Sequence, residues 1–94
     1  MSLRLLVDKY ISSAEKVLSQ IQPTKPEKTI GAQAQNVIEQ AKSYLSDAKY
    51  YRDHGKLETS LASIVYCEGL LDALKLLGVA QFEWPTKPTH KKER

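Results

Sequence analysis

Hydrophobic residues recur along the first half of the chain at alternating spacings of four and three. The first series is Leu3, Val7, Tyr10, Ala14, Val17 and Ile21, and the second is Ile30, Ala34, Val37, Ala41, Tyr44, Ala48 and Tyr51. This spacing places each series on one face of an α-helix. We therefore predict a first helix over residues 3–21 and a second over residues 26–54.

Local signals set the ends of these two helices. Ser2 can cap the first helix, which must end before Pro23 because proline disfavours helical geometry in the residue before it. Residues 24–27 fit a capping box with proline in the first turn, so the second helix begins there or only near Thr29. Gly55 is the expected left-handed residue that ends the second helix.

The third helix, predicted over residues 57–77, has a different pattern. Its early apolar residues are Leu57, Leu61, Ile64 and Val65, and its later ones are Cys67, Leu70, Leu71, Leu74 and Leu77. At 100° per residue these two groups are rotated apart, so apolar side chains surround most of the helix and indicate packing on more than one side. Gly69 costs about 1 kcal/mol relative to alanine within a helix, and we expect it to admit a close neighbour such as a tyrosine.

Three such helices with short links predict an all-α fold, an up-down-up antiparallel three-helix bundle over residues 1–85. Phe82 and Trp84 alternate with polar residues, and we expect this short extended piece to fold back over the third helix. Residues 86–94 have no apolar side chain and are predicted to form a disordered basic tail.

The charge distribution argues against a nucleic-acid-binding body. The formal net charge is +3 and the isoelectric point is near 9.0. The tail has four basic residues and one acidic residue, which leaves 10 basic and 10 acidic residues for the rest of the chain. The basicity therefore belongs to the tail, and nucleic acid is only an alternative partner.

The expected compartment is the cytoplasm. No apolar run approaches the roughly 20 residues that a membrane span requires, and the N-terminal sequence does not resemble a signal peptide. The single cysteine, Cys67, excludes an internal disulfide and suits a reducing environment.

Candidate catalytic chemistry is sparse. Glu68 and Asp72, one helical turn apart, could act as paired carboxylates or as ligands of a hard metal. Neither histidine has the Glu-x-x-His spacing of di-metal bundles, so a solvated or lysine-paired strip with Lys75 is the favoured interpretation. Cys67 has no histidine close in sequence and is expected to be buried and inert. We expect no enzymatic activity, no cofactor and no metal.

Several packing motifs in residues 41–85 point to one family. They are the Ala-x-x-Tyr pattern before Gly55, the core Tyr66-Cys-Glu-Gly-Leu-Leu-Asp-Ala-Leu74, the stop Leu77-Gly78 and the ending Phe82-Glu-Trp84. In these, and more loosely upstream, the chain resembles the archaeal domain-of-unknown-function family numbered 357. The resemblance implies a three-helix bundle of the immunoglobulin- or albumin-binding type, a kind of domain that in some proteins accompanies archaeal cytidylyltransferase-like nucleotidyltransferases as a C-terminal region. It supplies no catalytic residues, and the His-x-Gly-His motif of those enzymes is absent here.

We interpret the chain as a non-enzymatic interaction or accessory module that binds a protein partner or itself. The third helix together with Phe82 and Trp84 has more apolar surface than two helices obviously cover. The expected interaction surface comprises Tyr50, Glu68, Asp72, Lys75, Phe82 and Trp84. The alternative is an RNA- or nucleotide-binding accessory domain of a nucleotidyltransferase or an RNA-processing enzyme.

Overall fold

A computed structural model describes residues 2–23 and 31–85, which form a three-helix bundle. The helices are α1 (Leu3–Gln20), α2 (Ala32–Asp53) and α3 (Leu57–Leu76). The all-α prediction is confirmed. The expectations for residues 24–30 and for the tail, residues 86–94, fall outside the described residues.

The helix ends follow mostly from local chemistry. The Ser2 hydroxyl accepts a hydrogen bond of 3.1 Å from the Leu5 N–H and caps α1. Helix α2 begins at Ala32, later than the predicted residue 26, because Gly31 is its N-cap and has an extended backbone. Gly55 follows α2 with a φ of 75°, the left-handed conformation expected there.

A two-residue antiparallel ladder joins the segment that follows α1 to the segment that follows α3. Strands β1 (Gln22–Pro23) and β2 (Ala80–Gln81) pair with Gln22 opposite Gln81. Gly78, with a φ of 75°, turns the chain between α3 and β2. The ladder therefore positions the start of the C-terminal segment, which follows β2 and returns along α3.

Helices α2 and α3 share the largest of the three helix interfaces. The buried Ser60 hydroxyl donates a hydrogen bond of 2.7 Å to the Ala48 carbonyl. Further along this interface, the ring centroids of Tyr44 and Tyr66 lie 4.4 Å apart. Alanine and serine at this seam permit the close approach of the two backbones.

Ion pairs join α1 to α2 at the edge of their interface. Arg52 donates to Asp8 at 3.2 Å and to Asp53 at 3.0 Å, and Lys49 pairs with Glu15. Partial burial opposes the charge on Arg52, but the hydrogen bonds and charges of the two aspartates outweigh it, so the pKa of Arg52 is raised. Of these pairs, Arg52–Asp8 and Lys49–Glu15 link α1 to α2, whereas Arg52–Asp53 lies within α2.

The core contains part of the hydrophobic series predicted on α1 and α2, and other members, such as Leu3, Tyr10 and Tyr44, are partly buried against it. Its main cluster is Val7, Ile11, Ala14, Val17, Ala41, Ala48, Ile64, Cys67, Leu71 and Phe82, and a smaller cluster contains Ile38, Leu74 and Ala80. Full burial of one of the valine, leucine or isoleucine side chains in these clusters stabilises the fold by about 1.5–3 kcal/mol. Among the described residues no helix is both long enough and apolar enough to cross a bilayer.

The C-terminal segment, residues 82–85, folds back over α3 as expected. Phe82 is 6 % exposed and belongs to the main core, while Trp84 is partly buried against it. Their rings meet edge to face with centroids 5.4 Å apart. The segment thus adds aromatic cover where α1 packs against α3.

Candidate interaction surface

The solvent-facing side of α3 is almost entirely apolar. Ala62, Tyr66, Gly69, Ala73 and Leu76 are exposed and have the spacing 4-3-4-3, with Val65 and Leu77 beside them. At 100° per residue these seven positions span about a third of the helix circumference. We call this set the α3 stripe.

Large side chains of the α3 stripe lie in open solvent. Leu76 is 86 % exposed, Leu77 74 %, Tyr66 54 % and Val65 48 %. The opposite side of α3 presents Ser60, Ile64, Cys67, Leu71 and Leu74 to the core. The sequence thus correctly indicated a helix that is apolar nearly all round, but α1, α2 and the C-terminal segment leave this one face uncovered.

Gly69 lies at the centre of the stripe. No heavy atom outside its helix backbone lies within 4 Å of the position that a Cβ would take. The expectation that Gly69 admits a neighbouring tyrosine is therefore wrong for this chain, because Tyr66 packs instead on Tyr44 of α2. Because Gly69 has no side chain, the stripe has a shallow depression between Tyr66 and Leu76, which we call the saddle.

One edge of the stripe is acidic. Helix α3 contains Glu58, Glu68 and Asp72 against the single cation Lys75, so its charge is −3 + 1 = −2. Asp72 Oδ1 accepts a hydrogen bond of 2.7 Å from the Trp84 indole N–H. This contact attaches the C-terminal segment to the acidic edge.

Lys75 is held by the same segment. Its Nζ lies 3.8 Å from Glu83 Oε1 and 5.2 Å from the centroid of the Phe82 ring. The predicted charged strip therefore exists, but its cation is engaged by Glu83 and by an aromatic face.

A cleft of about 420 Å³ runs along the acidic edge between α1, α3 and the C-terminal segment. It is lined by Lys9, Tyr10, Ser13, Glu68, Asp72, Trp84 and Pro85. Asp72 belongs to both the cleft and the edge of the stripe, so the two features are continuous. Carboxylates beside an aromatic ring favour a cationic group over an anionic one.

The structure brings together five of the six predicted surface residues. Glu68, Asp72, Lys75 and Trp84 gather at the acidic edge, and Phe82 lies beneath them in the core. Tyr50, which is 57 % exposed, lies instead at the C-terminal end of α2. There its ring stacks on His54 with centroids 4.1 Å apart and meets Tyr51 edge to face.

The sequence analysis missed the stripe itself. Its signal was the 4-3-4-3 spacing from Ala62 to Leu76, which small residues at Ala62, Gly69 and Ala73 concealed. Of the seven residues of the stripe, the apolar positions predicted for the third helix include only Val65 and Leu77. Small residues carry little weight in a search for hydrophobic periodicity, although they shape a helix surface.

Cys67 is buried, as expected. Burial, and secondarily the charge of Glu68, raises its pKa to about 12. A thiol with such a pKa stays protonated at neutral pH and is a poor nucleophile. Within the described residues no group of three or more His, Cys, Asp or Glu side chains is placed to hold a metal ion.

Comparison with known proteins identifies the family. The model of the family described as "Protein of unknown function (DUF357)" matches residues 9–80, which is most of the chain. The chain belongs to the DUF357 family. The DUF357 match spans most of α1 and all of α2 and α3 but ends before Phe82 and Trp84, so the aromatic ending lies beyond it. Neither a curated protein nor a solved structure matches the chain.

Proposed function

We propose that this DUF357 protein is a non-enzymatic interaction module that binds a protein partner through the α3 stripe. The observation that carries the proposal is the exposure of Tyr66, Leu76 and Leu77 on one continuous apolar face. Exposed apolar residues scattered singly are normal on soluble proteins, whereas a continuous apolar patch is typical of an interaction site.

Burial of the exposed leucines at this face would favour association. Fully burying a leucine contributes about 1.5–3 kcal/mol, and Leu76 and Leu77 retain most of that gain because they are 86 % and 74 % exposed. Together they offer roughly 2–5 kcal/mol before the entropic cost of association is subtracted. Tyr66, which is 54 % exposed, adds an aromatic side chain of the kind that is enriched at the centre of binding surfaces.

The charges of the helices do not favour the RNA- or nucleotide-binding alternative. Within residues 2–23 and 31–85, four of the eight Lys and Arg side chains pair with carboxylates, namely Lys42, Lys49, Arg52 and Lys75. The charged residues of α3 are three carboxylates and one lysine, so the edge of the α3 stripe is acidic rather than basic. A phosphate backbone requires a cluster of available cations.

The test compares capture of partners by three forms of the full chain. The wild-type protein, Leu76→Gln and Leu5→Gln are immobilised, exposed to an extract of the native host, and the bound proteins are quantified by mass spectrometry. Leu5 is the matched control because it is an exposed leucine, 59 % accessible, on α1 instead of α3. Leucine and glutamine have similar helix propensities, so both variants should keep the fold.

We expect a partner that wild type and Leu5→Gln retain and that Leu76→Gln loses by at least about tenfold, the loss that about 1.4 kcal/mol produces. Circular dichroism checks that all three forms are equally helical. Retention of the same proteins by all three forms would contradict the proposal. So would a strict monomer in light scattering together with an empty capture.

A further inference from the structure

We infer that the occupant of the α3 stripe is an amphipathic helix of a different protein, with lysine or arginine residues flanking its apolar face. This inference rests on the proposed function and adds the chemistry of the partner. Three observations support it: the shape of the stripe, the charge of its edge and the poor fit of a second copy.

The shape of the stripe suits a helix. The small residues Gly69 and Ala73 form a saddle between the larger Tyr66 and Leu76, and the space above Gly69 is open. Helices pack by placing ridges of large side chains into such grooves, and a glycine lets the backbones approach closely. From residue 62 to residue 77 the stripe is about 24 Å long at 1.5 Å per residue, the length of a helix of about four turns.

The charge beside the stripe favours a partner helix that has basic residues flanking its apolar face. From the start of α3 to Leu74 every charged side chain is acidic, and Glu58 and Asp72 are exposed. The one cation that follows, Lys75, is engaged by Glu83 and Phe82. A lysine or arginine from the partner would therefore meet carboxylates at this edge and the Trp84 ring beside Asp72, where a cation is favoured.

A second copy of the chain fits this surface less well. A two-fold symmetric dimer uses the same patch on both subunits. It would therefore bring the exposed carboxylates Glu58 and Asp72 of both copies to the same interface. Like charges brought together at an interface oppose association. An apolar face with carboxylates at its edge is better complemented by a partner whose apolar face has lysine or arginine at its edge.

The test uses two synthetic helical peptides as probes for the full chain. Both have leucines at the 4-3 spacing, but one has lysines and the other glutamates flanking the leucine face. Fluorescence anisotropy of the labelled peptides measures Kd at about 0.01 M and at about 0.1 M salt, where the Debye length falls from about 30 Å to about 10 Å. We expect the lysine-flanked peptide to bind at least about tenfold more tightly at low salt, and the difference to narrow at the higher salt.

Variants of the protein separate the effect of the shape of the stripe on peptide affinity from the effect of the charge at its edge. Gly69→Gln fills the saddle, so it should weaken the lysine-flanked peptide at least about tenfold, while thermal stability stays equal or rises because glutamine is the better helix former. Glu58→Gln with Asp72→Asn should weaken only the lysine-flanked peptide. Leu5→Gln should change neither affinity.

Each alternative outcome overturns the inference. Equal affinity for the two peptides, tighter binding of the glutamate-flanked one, or no binding of either would exclude a basic helix. A concentration-dependent dimer in sedimentation that Gly69→Gln dissociates would assign the stripe to a second copy. A captured partner that depends on Leu76 but contacts it without a basic helix would refute this inference and leave the proposed function standing.

Discussion

Gly69→Ala tests whether the centre of the α3 stripe is open in the free protein. Gly69 lies inside α3, is not among the glycines with positive φ, and has no heavy atom within 4 Å of an added Cβ. The new methyl group therefore meets no obstacle. The substitution should raise the free energy of unfolding by about 0.8–1 kcal/mol, because alanine restricts the unfolded chain and favours the helix.

Thermal and urea unfolding followed by circular dichroism measure this effect. For a domain of 94 residues a change of 1 kcal/mol shifts Tm by about 4–8 °C. Gly55→Ala is the matched control, since its Cβ also meets nothing within 4 Å but its φ is 75°. A side chain in the left-handed region costs about 1–2 kcal/mol, so the control should lower the free energy of unfolding.

A destabilised Gly69→Ala protein would refute the argument. It would mean that the centre of the stripe is already in contact with something in the free protein. Repeating the melts over a range of protein concentrations identifies the cause. A loss of stability that grows with protein concentration would indicate that copies of the chain meet at Gly69, because self-association stabilises the folded state by mass action.

Three further substitutions test the packing of the bundle. Ser60→Ala should lower the free energy of unfolding in urea by about 0.5–1.5 kcal/mol, because the buried hydrogen bond to Ala48 is lost; an unchanged midpoint would contradict this. Burial raises the pKa of Cys67 from 9.0 to about 12, so the stabilisation from a protonated thiol is complete below about pH 9 and is lost as the pH rises towards 12. The wild type should therefore lose stability over that range more steeply than Cys67→Ala, by up to about 1.4 kcal/mol per pH unit, and equal slopes would refute the shift. Phe82→Ala should lower the free energy of unfolding by about 3–5 kcal/mol and shift the fluorescence of Trp84, the single tryptophan, to the red; a stable variant with unchanged emission would show that the C-terminal segment does not depend on Phe82.

Most of the bundle was predictable because α1 and α2 each have one apolar face. Of the residues at 4-3 spacing, Val7, Ala14, Val17, Ala41 and Ala48 are fully buried, and others such as Tyr10 and Tyr44 are partly buried against the core. The start of α2 was less predictable. A capping box and a proline at residues 24–27 offered one start, yet the extended backbone of Gly31 places the first helical residue at Ala32.

The candidate site was only partly predictable, because periodicity assigns residues to a face without saying what covers it. Helix α3 has two apolar faces, and only the packing of α1, α2 and Phe82 shows which one is buried. The contact of Trp84 with Asp72 depends on the turn at Gly78 and on the β1–β2 ladder, which bring distant parts of the chain together. The surroundings of Gly69 were predicted wrongly for the same reason, because periodicity does not show that its face of α3 is exposed.

Folding alone does not account for leucine at positions 76 and 77. Leucine and glutamine have nearly equal helix propensities, so polar residues there would serve α3 equally well. Burial does not account for them either, since Leu76 is 86 % exposed and Leu77 74 %. A single exposed leucine needs no explanation on a surface that is more than half apolar. Two of them, in line with Tyr66 and an uncrowded Gly69 and beside the exposed carboxylate of Asp72, are the features on which the proposed binding of a partner with a basic, apolar face rests.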